Sequence, residues 1–114
     1  MKPGRRGGGI RVILVDARCM ILPGRQEYFV REARKIKTIV EEEAGCTRYE
    51  LLADASDAGV FHFIEEWESQ DHLDKHLGQP HMQEYFAKTS PWHAAPTELT
   101  IYEVVGSQSI TLGH

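Results

Sequence analysis

The chain has 114 residues, 41% of them hydrophobic, which is the size of one domain burying roughly 60 to 68% of the surface its unfolded form exposes. A core fits within it, whereas a large enclosed pocket inside one subunit is tight. A net charge of −4 with scattered Lys and Arg offers no basic face to a nucleic acid, and no apolar run reaches the roughly 20 residues of a bilayer span.

The amino terminus lacks the apolar segment and small-residue cleavage site of a secretory signal, so a cytoplasmic protein is expected. Cys19 and Cys46 have neither the density of a disulfide framework nor zinc-site spacing and read as reduced, ordinary residues. Residues 1–9, MKPGRRGGG, hold nothing apolar beyond Met1 and read as a flexible tail, because they cannot offset their ordering entropy by burial. The domain is expected over 10–105. Residues 106–114 read as a turn-rich second tail in which Ile110 and Leu112 could dock on a neighbour.

Ile10 to Ile21 is rich in β-branched residues and stops at Pro23-Gly24, which predicts a strand and a turn. From Arg25 the pattern turns helical: Phe29, Ala33, Ile36 and Val40 recur at helical spacing, with Gly45 as the expected C-cap. Thr47 to Ala53 and Val60 to Glu68 predict two strands joined by the hairpin loop from Asp54 to Gly59. Ser69 suits the N-cap of a short helix ending at Gly78, and Pro80 suits the first turn of another running to about Lys88. A loop with Pro91 and Pro96 leads to a last strand from Leu99 to Val105.

This order predicts an α+β, ferredoxin-like βαββαβ fold: one antiparallel sheet with helices on one face. The first strand sends Ile10, Val12 and Leu14 one way and Ile13 and Val15 the other, so both its faces are apolar. Helices cover one face. A second copy packed sheet to sheet, a homodimer through the open face, would cover the other; the alternative is an exposed mixed surface.

Acids, imidazoles and aromatics concentrate between Gly45 and Gln83. Alternation places Phe61, Phe63, Glu65 and Trp67 on one side of their strand and His62, Ile64 and Glu66 on the other. A carboxylate among aromatic rings has its ionised form disfavoured, which suits proton transfer or a bond to a substrate hydroxyl. Alternatively, Glu65 pairs with an Arg or Lys at the sheet edge and Trp67 is core. His76 lies beside Leu73 and Leu77 and should face the sheet, with Glu65 its partner across the gap. His72 should face solvent, and His81 opens the next helix. Such a histidine is a general-base candidate, or a half-buried ring bonded to backbone. The spacing of His72 and His76 could hold a metal, but the helix lacks the glutamate of His-Glu-x-x-His, and no metal is expected. Nucleophile-elbow, Walker and Gly-x-Gly-x-x-Gly patterns are missing from the predicted domain, so neither a nucleotide nor a flavin site is recognisable.

Gly-Cys-Thr-Arg-Tyr-Glu-Leu at 45 to 51, Phe-x-x-x-Glu-Glu-Trp-Glu-Ser at 61 to 69 and Leu-x-x-His-Leu-x-x-Pro-His-Met-Gln at 73 to 83 occur in that order, after an early Pro-Gly-Arg-x-Glu turn. In these motifs the chain resembles the antibiotic biosynthesis monooxygenase superfamily over about residues 10 to 105. The resemblance implies a dimeric α+β barrel. It also implies, for the quinol monooxygenase kind, oxidation of a small phenol or hydroquinone by molecular oxygen with no metal or flavin cofactor. By position, Trp67 would contact the substrate, His76 and His81 would be base or donor candidates, and Glu65 would orient one of them. Tyr49, Phe63 and Tyr85 would be wall residues. The polyketide-tailoring and haem-degrading branches pair an asparagine with the tryptophan, and this chain has no asparagine. An isomerase on the same scaffold and a non-catalytic ligand-binding dimer are the alternative functions.

Overall fold

A computed structural model describes residues 11–113; the expected tail at 1–9, Ile10 and His114 lie outside the described residues. The elements are β1 (Val12–Met20), α1 (Gln26–Val40), β2 (Cys46–Ala53), β3 (Val60–Trp67), α2 (Gln70–Leu77), α3 (Pro80–Thr89), a 3-10 turn (Ser90–Trp92) and β4 (Glu98–Val104). They form a four-stranded sheet in the order β2-β3-β1-β4, with each neighbouring pair antiparallel. This is the expected ferredoxin-like βαββαβ arrangement, with the last strand one residue earlier than expected.

Alternation along β1 and β3 builds the core. Ile13, Val15, Ala17 and Cys19 are buried, as are Phe61, Phe63, Glu65 and Trp67 across the ladder. The helices close this face: Phe29, Ala33, Ile36 and Val40 of α1 and Leu73 and His76 of α2 are all buried. Phe29 packs on Phe61 with ring centroids 5.2 Å apart.

The opposite face is mixed. Val12 is exposed and Leu14 half-buried, but between such apolar positions His62 meets Asp16 at 2.7 Å and Arg48 meets Glu66 at 3.3 Å. Residues 106–113 lie outside helix and strand, and Ile110 and Leu112 are exposed.

Two local expectations need correction. Gly45 does not cap α1: the helix ends at Val40, where its apolar periodicity stops, and residues 41–45 form a turn. Gly45 adopts φ +84° at the entrance to β2, a conformation glycine tolerates without a Cβ penalty. His72 does not stand free in solvent. It is half-buried, its Nδ1 lies 2.7 Å from Ser69 Oγ, and a Cβ on Gly45 would fall 2.3 Å from its ring. Ser69 does act as the expected N-cap, its hydroxyl accepting from the His72 amide.

Candidate active site

Between the helix-covered face of the sheet, α3 and the 93–97 loop lies a cleft of about 720 Å³, within the range that takes small organic ligands. The loop is held over it by the chain's return to the end of β1. Leu22 donates to the Trp92 carbonyl and Ala94 to that of Met20, at 2.8 and 2.7 Å. Tyr49, Phe63 and Tyr85 line the cleft with Cys19, Met82 and Leu99, so its walls are largely apolar; Glu65 and His93 are its ionisable polar groups besides the tyrosines and the thiol.

Glu65 reaches this wall because β3 alternation aims it inward. It is 4% exposed, and burial pushes its carboxyl up to about 7. The hydrogen bond from Trp67 opposes that rise and the negative charge of Glu43 adds to it. The Trp67 indole Nε1–H donates to Glu65 Oε1 at 3.0 Å. No Arg or Lys pairs with Glu65 among the described ion pairs. The carboxyl is therefore poised to exchange a proton near neutrality while facing an apolar chamber.

Burial also raises the pKa of Tyr49, Tyr85 and Cys19. Their hydroxyls and thiol stay protonated at neutral pH, so the tyrosines can donate hydrogen bonds to a developing anion but not act as bases.

The expected set is divided between two layers. Glu65, Tyr49, Phe63 and Tyr85 line the cleft; Trp67, His76 and His81 do not. Trp67 and His76 lie behind Glu65, with ring centroids 4.6 Å apart, and are 0% and 1% exposed. His76 Nε2 is 4.0 Å from Glu65 Oε1, beyond hydrogen-bond range. The expected partnership of Glu65 with His76 is replaced by the bond from Trp67.

The partner of His76 is instead Glu43, whose Oε2 lies 3.1 Å from His76 Nδ1 and 2.7 Å from His81 Nε2. Burial holds the His76 pKa below its ordinary value despite the Glu43 carboxylate, so the ring is neutral at pH 7.

Glu43 and His93 escaped sequence reasoning. Glu43 sits in the run Glu41-Glu42-Glu43, which carries no periodicity, and only the turn after Val40 brings it to the histidines. His93 lies in an irregular loop, where the residue type alone could have drawn notice. Its Nδ1 is 2.9 Å from the Thr89 carbonyl. That oxygen can only accept, so Nδ1 carries a proton, and in the tautomer this selects Nε2 is the acceptor. Among the described residues no group of three or more His, Cys, Asp or Glu could hold a metal ion, and no helix is long and apolar enough to cross a membrane.

An uncharacterized protein of Synechocystis is 26% identical over 98 residues, covering 86% of this chain and 67% of that one. The protein named probable quinol monooxygenase YgiN of Escherichia coli is 33% identical over 85 residues, covering 65% of this chain and 81% of that one. Among solved structures, Rv0793 of Mycobacterium tuberculosis superposes with a TM-score of 0.79 at 26% identity, covering 86% and 99% of the two chains. A conserved protein of Methanosarcina mazei gives 0.80 at 24% identity, covering 82% and 93%, a likeness of fold. The sequence profile of the antibiotic biosynthesis monooxygenases matches residues 12–88, and the chain belongs to that family.

Proposed function

We propose that this protein oxidises a small phenol or hydroquinone with molecular oxygen, using no metal or flavin, and that the cleft beneath α3 is where it does so. The observation that carries the reading is Glu65: a buried carboxyl, titrating at about 7, set in the wall of an apolar, tyrosine-bearing chamber. The likeness to a protein named as a quinol monooxygenase supports the same reading.

In this mechanism the Glu65 carboxylate removes a phenolic proton, and the hydroxyls of Tyr49 and Tyr85 stabilise the resulting anion. The electron-rich anion passes one electron to oxygen, and the two radicals combine to form a carbon–oxygen bond. The proton on Glu65 passes to the peroxide anion. Breaking the O–O bond with loss of the ring hydrogen then releases water and leaves the ring carbon as a carbonyl. The overall balance is hydroquinone plus oxygen giving hydroxyquinone plus water. Excluding bulk water protects the peroxide stage, which the apolar walls favour. His93 Nε2 accepts a second substrate hydroxyl.

The working unit is a homodimer closed through the open sheet face, in which Val12, Leu14 and Ile64 meet their counterparts. Oxygen uptake with a panel of hydroquinones tests the activity. Consumption that depends on both protein and hydroquinone, and is abolished by Glu65→Gln, is expected. Hydroquinone-dependent uptake that is equal with and without the protein would remove the reading and leave the isomerase or ligand-binding alternatives.

A further inference from the structure

We propose that Glu43, His76 and His81 form a proton relay that connects Glu65 to the solvent while substrate fills the cleft. This rests on the proposed oxidation in that cleft. The four side chains follow one another from the chamber wall outward. Glu65 Oε1 lies 4.0 Å from His76 Nε2, His76 Nδ1 lies 3.1 Å from Glu43 Oε2, and the same oxygen lies 2.7 Å from His81 Nε2. Side-chain exposure is 6% at Glu65 and lowest at His76, at 1%, and from there rises to 10% at Glu43 and 26% at His81.

The chemistry gives the relay a task. A hydroxyquinone is a vinylogous carboxylic acid and leaves as its anion at neutral pH, so each turnover strands one proton in a chamber closed by substrate and product. That proton ends on Glu65, and the next cycle needs Glu65 ionised.

The carboxylate of Glu43 accepts Nδ1–H of His76, which leaves the His76 Nε2 lone pair toward Glu65. A small approach of the two groups, or one intervening water, closes the 4.0 Å gap. The O–H bond of Glu65 breaks as an N–H bond forms at Nε2. The Nδ1 proton then passes to Glu43, and Glu43 passes a proton to His81 Nε2 when that nitrogen is unprotonated. His81 releases its Nδ1 proton to water. Glu65 is ionised again, the solvent has gained one proton, and no electrons have moved.

The other titratable groups facing this path are Tyr49 of β2, whose ring lies 5.7 Å from that of His76, and Cys46 and Glu41 on either side of the turn. Burial holds the tyrosine and thiol protonated, Cys46 at about 11, so neither offers a competing route near pH 7. Glu43, His76 and His81 touch no substrate and act through Glu65 as positioning and relay residues.

Two measurements test the relay. A photolysed caged-proton jump, in a Trp92→Phe background that leaves Trp67 as the reporter, follows Glu65 protonation through the indole bonded to it. Glu43→Gln keeps the size of the side chain but cannot carry a proton, and should slow this relaxation about tenfold. His81→Gln should slow it also, with recovery on adding imidazole. In oxygen uptake both variants should lower kcat with KM unchanged. Relaxation in both variants as fast as in the parent protein would overturn the relay. If Glu43→Gln fails to fold, His81→Gln, at a part-exposed site, decides alone. The jump is run without oxygen and with a small phenol filling the cleft, so that Glu65 has no direct route to solvent; a parent protein that consumes no oxygen in air would end the functional reading while the relaxation still judges the path.

Discussion

Glu65 concentrates the electrostatic cost of the site in one carboxyl. Its pKa is raised from 4.5 to about 7, so between those values the folded chain binds more protons than the unfolded one. Its stabilising contribution is complete below about 4.5 and is lost as pH rises through 7. At roughly 1.4 kcal/mol per pKa unit, the loss is on the order of 3 kcal/mol. Glu65→Gln should lack it: thermal or urea unfolding should show the variant gaining on the parent protein between pH 5 and pH 8. Activity runs the other way. The base works when ionised, so kcat/KM should climb with pH to a plateau above about 7, and Glu65→Gln should reduce it by about 10² to 10⁴ fold.

Trp67→Phe removes the hydrogen bond that opposes the upward shift of Glu65. The midpoint of the pH–rate profile should therefore move to higher pH, and an unmoved midpoint would show that the indole does not tune the carboxyl. The inward face of β3 was legible from alternation alone, and with it the pairing of Glu65 and Trp67 on one side. The split of the site into a lining layer and a buried layer was not. It depends on how α3 and the 93–97 loop stand off the sheet, which no periodicity records.

At the scale of elements, the turn from Val40 to Gly45 is the one on which the proposed relay depends, because it brings Glu43 to His76 and His81. On sequence alone this helix runs on to Gly45 as its cap, although the last apolar position of the pattern is Val40, because a glycine signals positive φ without saying which element needs it. The actual turn carries Glu43 back over α2 and α3. Gly45→Ala should cost about 1 to 3 kcal/mol in backbone strain and drive a Cβ against the His72 ring, 2.3 Å away. Chemical denaturation measures the cost; a variant as stable as the parent would mean that the turn relaxes freely. The N-cap Ser69 and the first-turn Pro80 were readable because each acts through its own immediate neighbours.

For the whole molecule, the ferredoxin-like arrangement and the helix placement followed from the order of the elements, although only β2 and β3 are joined by a short hairpin and β1 meets β3 and β4 through crossovers. The outer sheet face was legible in part. Leu14 and Ile64 are only half-buried within one chain, while the ladder pairs Asp16–His62 and Arg48–Glu66 give that face a polar pattern that a second copy, in the proposed dimer, would have to match. Under the proposed assembly, sedimentation should give twice the 13.0 kDa chain mass, and Ile64→Lys should shift it to the monomer. An unchanged mass would place any association elsewhere.

The most direct measurement is oxygen consumption by the purified protein with a small hydroquinone, followed with identification of the product. Oxidation through Glu65 requires one oxygen consumed per hydroxyquinone formed, with the signal lost in Glu65→Gln. Uptake no faster than in protein-free buffer, or an unchanged rate in Glu65→Gln, would contradict it.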